Sequence, residues 1–217
     1  MEKGGDVLFI STFTDSEMPN FNRLLDFYGL EITKGLIIED DADFYYQDPF
    51  YLFPEVAYDD VTEGAVDTGS YVFVPYAQGI TVQEMEDVTA TSLLTTSDSS
   101  YARNNMTAGG DYAKQEGDVD GPFYVGVKCE KTLENEISTA VVYSSEYLFT
   151  QSANEIVAGT NLKLFTGTLG SFVSYTNSIV IPVKDYENSY LAMTQSSITL
   201  LALLAVVVIP FAFLITG

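Results

Sequence analysis

An uninterrupted apolar run near the C-terminal end constrains this chain more than any other feature. Residues 198–216 read ITLLALLAVVVIPFAFLIT and contain no charged side chain. A helix of that length spans roughly 28 Å, close to the ~30 Å hydrocarbon core of a bilayer. A core helix of a soluble domain is usually shorter and has a polar face, which this run lacks. We therefore predict one transmembrane helix over 198–216, which Pro210 does not oppose because membrane helices tolerate proline.

The balance of acidic and basic residues restricts the classes of partner that the chain can bind. The chain has 31 acidic and 9 basic residues, a formal net charge of −22, and the basic residues form no cluster. Binding to a phosphate backbone is thereby excluded, so we expect no nucleic-acid partner. Attraction of the soluble part to anionic lipid headgroups is equally disfavoured, so contact with the bilayer should run through 198–216. The spread of the acids is typical of a solvated surface.

Residue types needed for several catalytic mechanisms are missing. The chain has no histidine and one cysteine. This composition excludes Ser-His-Asp and Cys-His catalysis, imidazole zinc sites and an internal disulfide. Cys129 lies in an apolar run, where we expect a buried, inert thiol. No phosphate-binding glycine motif and no nucleophile elbow occurs, and we predict neither a cofactor nor a metal.

The pattern of apolar residues predicts a mixture of strands and helices. Runs rich in β-branched and aromatic residues predict strands over 6–13, 36–38, 71–76, 88–94, 122–129 and 139–143. Helical spacing predicts one helix over Phe21–Tyr28, ending at Gly29. It predicts another with Leu162, Phe165, Leu169 and Phe172 on its apolar face. The first strand, helix and next strand predict a βαβ element, and 102–120 an exposed loop.

Residues 39–68 interrupt this pattern with acids and aromatics. Four acids in the run 39–43 precede the aromatic residues of 44–53. We interpret the segment as an ordered excursion whose rings pack on the domain and whose acids lie at the surface. Calcium binding by 39–43 is a weaker interpretation because this run lacks the Asp/Asn alternation and spaced glutamate of an EF-hand loop. Calcium binding by 118–121 is also weaker, because Pro122 and the following strand favour a turn. Sugar stacking on the rings is a further alternative.

Polar residues follow several predicted strands at their carboxyl ends. Ligands of open α/β sheets settle beyond such ends, so these residues are the candidate ligand-binding set. Helix capping and turns explain any single member, and only convergence in space would favour a site. The candidates are Thr12, Asp15, Ser97, Asp98, Ser144, Ser145 and Glu146.

The order of segments also resembles a known family. The resembling pieces are GGDVLFIS, PNFNRLLDFYGLEITKGLIIE, YVFVPYAQGI, SLLTTSDSSYA, GDVDGPFYVGV, TAVVYSSEYLF, NLKLFTGTLG and the closing apolar helix with IPFAFLI. They are similar to the C-terminal half of the GldG-like auxiliary proteins of bacterial ABC transporters, linked in some bacteria to gliding motility. The resemblance covers nearly the whole chain. Basic residues expected after the final helix are absent, and serines and a glutamate replace a more glycine- and aspartate-rich turn in VVYSSEYLF.

The resemblance implies an architecture and a role. It implies an α/β fold with an incomplete glutamine-amidotransferase-like or flavodoxin-like sheet, without amidotransferase chemistry, followed by a single transmembrane helix. The expected organisation is an extracytoplasmic domain over 1–184, a linker over 185–197 and the membrane helix over 198–216, with the chain a fragment of a longer protein. The expected role is a non-catalytic subunit that supports a separate ABC permease and ATPase in the cell membrane.

Two other classes remain open from the residues alone. A membrane-tethered carbohydrate-binding or surface-sensor domain would use the aromatic and acidic residues of 39–55. A hydrolase that uses carboxylates alone would need two carboxyl groups about 5–10 Å apart in one cleft, and we rank it last.

Overall fold

The computed structural model describes residues 4–14, 16, 18–66, 71–104, 112–134, 136–173 and 193–216. Within these ranges the strands, in chain order, are β1 Gly5–Ile10, β2 Leu30–Ile32, β3 Leu36–Ile38, β4 Tyr45–Tyr46, β5 Asp48–Leu52, β6 Glu55–Val56, β7 Val74–Pro75, β8 Ile80–Val82, β9 Val88–Thr95, β10 Tyr101–Arg103, β11 Val119–Asp120, β12 Tyr124–Thr132 and β13 Ile137–Tyr143. The helices are α1 Pro19–Asp26, α2 Gln151–Ile156, α3 Thr160–Ser171, and α4 Gln195–Leu203, which a π-helical turn over Leu204–Val208 joins to α5 Ile209–Thr216.

A mixed sheet forms the centre of the described region. Its strand order is β1-β13-β12-β8-β2, while β9 pairs with β12 and β6 with β9. The pair β1–β13 is parallel, with Leu8 opposite Val141, and the other pairs are antiparallel. The mixed α/β class predicted from the sequence is therefore confirmed.

Both faces of this sheet are covered, because alternate residues of β13 point to opposite sides. Ala140 and Val142 pack with Leu25 and Tyr28, so α1 and the turn after it cover one face. Val141 and Tyr143 pack on the other side with a cluster that includes Leu164 of α3. The same cluster contains Leu52 and Val61 of the 39–68 excursion. The main core thus has three layers.

The predicted βαβ element is wrong. Strand β1 belongs to the main sheet, whereas β3 pairs with β10 in a separate three-stranded sheet of the described region. Helix α1 leads instead into β2, which pairs antiparallel with β8. The reason is the turn at Gly35, whose φ of +89° suits glycine and whose hypothetical Cβ would collide with the Arg103 carbonyl. This turn sends the chain out of the main sheet after β2.

In its described part, residues 39–66, the excursion packs through its aromatic rings, as predicted. Residues 67–68 lie outside the described residues. Strands β4 and β5 form a small sheet with β7. Tyr46 contacts Phe53 and Phe73 with ring centroids 6.0 and 6.1 Å apart. The predicted strand over 71–76 is shorter than expected, since Val74–Pro75 alone is a strand there.

The predicted exposed loop over 102–120 is wrong at 102–103, which are buried in strand β10, and at Val119–Asp120, which form strand β11. The described residues 112–117 are exposed, as predicted. Residues 105–111 lie outside the described residues. Arg103 is buried and its guanidinium donates to Asp118 Oδ2 from Nη2 at 3.0 Å and from Nε at 3.3 Å. Burial opposes ionisation of Asp118, but the Arg103 hydrogen bonds prevail and lower its pKa. Asp118 therefore stabilises the fold as an ion-pair partner.

Helix α3 exists as predicted, but its buried face differs. Leu162 and Leu169 are exposed, while Asn161, Leu164 and Thr168 are buried. The Asn161 side chain donates to the Phe73 and Leu148 carbonyls at 2.8 and 2.7 Å and accepts from the Phe73 N–H at 3.0 Å. These buried polar contacts, and not the apolar stripe, set the rotation of the helix.

The C-terminal helix is apolar on all sides. Residues Gln195–Ile215 form one helix long and apolar enough to cross a membrane, and no part of its apolar window is buried. It begins at Gln195, inside the predicted linker, and the rest of that linker up to 192 lies outside the described residues. The helix widens before Pro210, where the Ile209 N–H donates to the Leu204 carbonyl five residues back. A proline ring clashes with the preceding turn, and a wider turn relieves that clash.

Candidate functional site

The carboxyl ends of β1 and β13 meet at one edge of the main sheet, because these strands are parallel neighbours. Strand β9 is antiparallel to β12, which is antiparallel to β13, so β9 ends at the same edge. Thr12 and Glu146 come together there, and the Thr12 hydroxyl donates to Glu146 Oε1 at 2.6 Å. Two of the candidate residues from distant parts of the chain are thus in direct contact.

The hydroxyl groups of the two serines after β13 both form hydrogen bonds within the protein. Ser144 is fully buried, and both its N–H and its hydroxyl donate to the Val125 carbonyl, at 3.1 and 3.3 Å. The Ser145 hydroxyl donates to the Pro75 carbonyl and accepts from the Tyr147 N–H. These contacts tie the end of β13 to neighbouring segments, so the geometry gives both serines a structural role.

Ser97 is held by a buried carboxylate. Its hydroxyl donates to Glu39 Oε1 at 2.6 Å and its N–H to Glu39 Oε2 at 3.2 Å. Glu39 is 1% exposed, so the expectation that the acids of 39–43 all lie at the surface is wrong at this position. Burial raises the pKa of Glu39, although the bonds from Ser97 and Asp41 oppose that rise. The pair anchors the excursion to the turn after β9.

Within the described part of the chain, the remaining two candidate residues, Asp98 and Asp15, add no contact to a binding site. Asp98 is exposed in the turn beside Ser97. Asp15 lies outside the described residues. The set predicted from strand ends therefore reduces to one exposed contact, Thr12 with Glu146, and several side chains that support turns.

A tyrosine cluster beside this edge was not predicted from the sequence. It consists of Tyr51, Tyr76, Tyr112 and Tyr147, to which Asp48 and Phe50 are joined. The Tyr51 and Tyr76 hydroxyls lie 3.2 Å apart, and the Tyr76 and Tyr147 rings pack edge to face at 5.7 Å. Phe50 stacks on Tyr76, and the Tyr112 hydroxyl donates to Asp48 Oδ2 at 3.2 Å. The cluster presents partly exposed rings next to a carboxylate.

Tyr76 occupies an unusual backbone conformation. Its φ is +54°, which costs a non-glycine residue energy. The hydrogen bond between Tyr76 and Tyr51, together with burial, raises the pKa of Tyr76 to about 12. Strain of this kind clusters at ligand sites, and the ring remains 37% exposed. The tyrosine cluster is therefore a second candidate surface.

A cavity of about 360 Å³ lies beyond the end of β1, between that end and the end of β2. We call it the Ser11 cavity. Its described lining residues are Ser11, Phe13, Thr14, Ser16, Met18, Phe21, Asn22, Ile32, Lys34, Gly35, Gln78 and Asn104. A second cavity of about 510 Å³ shares Asn22, Ile32 and Lys34 with it.

Backbone contacts hold the walls of the Ser11 cavity in place. The Ser11 N–H donates to the Tyr143 carbonyl at 2.9 Å, continuing the β1–β13 ladder. The Gln78 N–H donates to the Ser144 carbonyl at 3.1 Å, and Gln78 Nε2 donates to the Thr33 carbonyl at 3.2 Å. The cavity is thereby fixed to the end of β13.

Cys129 is buried in β12, as predicted. It is 0% exposed, and burial raises its pKa to about 12. A thiol in this state is protonated at neutral pH, which argues against a role as nucleophile.

Comparison with known proteins yields a likeness of fold. No family model matches the chain. No curated protein matches it by sequence. A solved structure described as the mmIFT52 N-terminal domain is similar, with a TM-score of 0.53 at 15% identity. The alignment covers 82% of this chain and 69% of that one, and at this identity it shows a shared fold alone.

Proposed function

We propose that the chain is a non-catalytic, membrane-anchored auxiliary subunit of a bacterial ABC transport system, of the GldG-like type. Its α/β domain, an incomplete glutamine-amidotransferase-like sheet, is displayed outside the cytoplasm. The helix Gln195–Ile215 packs against a separate permease that works with an ATPase. The observation that carries this proposal is the combination of one fully unburied apolar helix with a folded acidic domain.

The apolar helix supports the membrane part of the proposal. A helix whose apolar window is not buried by the rest of the described chain has a bilayer or another membrane helix as its natural surroundings. The net charge of −22 keeps the attached domain soluble at a membrane surface and disfavours adhesion to anionic lipids.

The contacts of the possible nucleophiles support the non-catalytic part. Cys129 is buried and protonated, and Ser97, Ser144 and Ser145 donate their hydroxyls to fixed acceptors. A nucleophile needs a nearby base and an open approach. The contacts of these residues serve packing instead.

Co-purification from mild detergent tests the partners. The full chain should bring down one integral permease and one ATPase, both identified by mass spectrometry. A variant whose residues 198–216 are replaced by an unrelated apolar helix of equal length should still enter membranes but lose the permease. Recovery of the full chain without permease and ATPase would refute the proposal, and equal recovery with the replaced helix would refute the role of the helix.

Protease accessibility tests the orientation. In intact spheroplasts an added protease should degrade the acidic domain, while a cytoplasmic marker remains whole. Protection of the domain until the membrane is broken would place it on the cytoplasmic side and overturn this part of the proposal.

The tyrosine cluster favours a second candidate function, a membrane-tethered carbohydrate-binding domain. Rings of this kind offer apolar faces for sugar stacking, while their hydroxyls and Asp48 accept or donate hydrogen bonds. The Tyr46 ring, by contrast, packs against Phe53 and Phe73, so the excursion itself supplies internal packing more than a platform. Glycan-array binding lost in Tyr76→Ala and Tyr147→Ala, but kept in Tyr58→Ala, would support this function. Absence of binding would reject it.

A further inference from the structure

We propose that the Ser11 cavity binds the oxyanion group of a small organic molecule. Lys34 supplies the opposite charge, the Ser11 hydroxyl donates a hydrogen bond, and the apolar walls hold the carbon part. The site is separate from the membrane helix and does not depend on the transport partners.

Unpartnered buried hydroxyls point to this place. In the described ranges two buried side-chain polar atoms have no hydrogen-bond partner, Ser11 Oγ and Thr33 Oγ1. Ser11 is 2% exposed and lines the Ser11 cavity, and Thr33 lines the adjoining one. Burying such a group without a partner costs free energy, so each case requires an explanation. The location of Ser11 Oγ is explained if the Ser11 cavity receives a polar ligand, whereas Thr33 borders the second cavity, which Asp26 and Glu31 also line.

The charge of the cavity is opposite to that of the chain. Lys34 is the one charged residue among the described lining residues. Four other basic residues of the described part, Arg103, Lys114, Lys128 and Lys131, form ion pairs with aspartates. Lys34 forms none with any described residue, in a chain with 31 acids. An unpaired ammonium at a cavity mouth is suited to an anionic ligand.

The start of α1 adds donors at the same cavity. Met18 occupies the N-cap position, and no described side chain caps the helix. Pro19 at the first helical position has no N–H, so Asn20 and Phe21 carry the N–H groups without a partner in the helix, and the helix dipole is positive at this end. Met18, Phe21 and Asn22 all line the cavity, so this helix end borders it. Uncapped helix starts are common binding places for phosphate and carboxylate groups.

The remaining walls define the rest of the ligand. Phe13, Met18, Phe21 and Ile32 are apolar and line the same cavity. A volume of about 360 Å³ is at the lower end of the range for small-molecule sites. The ligand is therefore a small aromatic or aliphatic molecule with one carboxylate or phosphate, and not a polymer.

Calorimetric titration of the full chain in detergent micelles tests the site, at about 0.15 M ionic strength to screen the distant acids. The probes are inorganic phosphate, phenylphosphate and phenylacetate, with benzyl alcohol as the neutral counterpart. Phenylphosphate or phenylacetate should bind and benzyl alcohol should not. The stronger of the two anions identifies the headgroup.

Two variants and two matched controls locate the binding. Lys34→Gln and Ser11→Ala should each weaken the binding of the bound anion about tenfold, as expected for a hydrogen bond to a charged group. Lys163→Gln and Ser99→Ala, which change exposed residues outside the cavity lining, should leave it unchanged. Both cavity variants should fold, since one changes an exposed lysine and the other removes an unpaired hydroxyl.

Three results would overturn the proposal. The first is that none of the anionic probes binds more tightly than chloride. The second is that benzyl alcohol binds as tightly as the anions. The third is that both cavity variants bind the anion with the wild-type affinity.

Discussion

Ser144 and Ser11 lie near the same edge of the main sheet, both are buried, and they differ in what their hydroxyls contact. Ser144 donates to the Val125 carbonyl, whereas Ser11 Oγ has no partner among the described residues. Ser97, at the end of β9, resembles Ser144 because its hydroxyl also has an acceptor within the protein, the Glu39 carboxylate. A polar residue after a strand is thus available for a ligand only when the fold has not already used its hydrogen-bonding capacity.

Among these paired residues, the largest loss of stability is expected when Glu39 is replaced. Glu39→Ala removes the acceptor of the Ser97 hydroxyl, the Ser97 N–H and the Asp41 N–H. Since these partly buried donors lose their acceptor, we expect the free energy of unfolding to fall by about 2–3 kcal/mol. Urea unfolding measures this change. A double-mutant cycle with Ser97→Ala should give a clear coupling energy, and simple additivity would contradict the pairing.

A second prediction contrasts Ser138 with Ser11. Ser138 is fully buried, donates to the Gly5 carbonyl at 2.9 Å and lies 2.7 Å from the Tyr28 hydroxyl. Ser138→Ala should therefore destabilise the protein by about 1–2 kcal/mol. Ser11→Ala removes an unpaired hydroxyl and should be neutral or stabilising by up to about 1 kcal/mol in the absence of ligand. Thermal unfolding measures both changes. Equal losses of stability in the two variants would contradict the difference in hydrogen bonding between Ser138 and Ser11.

A third prediction concerns pH. Burial raises the pKa of Glu39 above its usual 4.5. The folded protein therefore holds this proton at pH values where the unfolded chain has released it. The Glu39 contribution to stability is most favourable below about pH 4.5 and falls as the pH rises through the raised value. Unfolding curves of the wild type and Glu39→Gln across this interval should diverge in that direction, and parallel curves would count against it.

The smallest effect is expected at the exposed contact. Thr12→Val removes the hydroxyl that donates to Glu146, but water can replace it there. We expect a change below about 0.5 kcal/mol in the free energy of unfolding. A much larger loss would mean that this edge is as integrated into the fold as Ser144.

The sequence was sufficient for features that depend on local pattern. The apolar run at the C-terminal end and the strands β9, β12 and β13 follow from composition and alternation, and the contact of Thr12 with Glu146 fits the rule that parallel strands end together. Cys129 is buried because its strand is central, which its apolar neighbours already indicated.

Features that depend on distant partners were beyond the sequence. Glu39 lies among acids that look solvated, and its partner Ser97 is 58 residues away. The rotation of α3 is set by Asn161, whose partner Phe73 is 88 residues away. No local pattern distinguishes Ser11, which the fold leaves unpaired, from Thr12 beside it. The tyrosine cluster likewise joins rings from four separate segments.

The wide turn before Pro210 interrupts the regular geometry of the C-terminal helix. Pro210 has no N–H, so it cannot donate a hydrogen bond to a backbone carbonyl of the preceding turn. This turn lies near the middle of Gln195–Ile215, the part that would be farthest from water if the helix spans a membrane as proposed. The extra residue per turn also offsets the side-chain rows above it from those below. A helix that looks uniform in composition therefore has differently aligned side-chain rows before and after this turn.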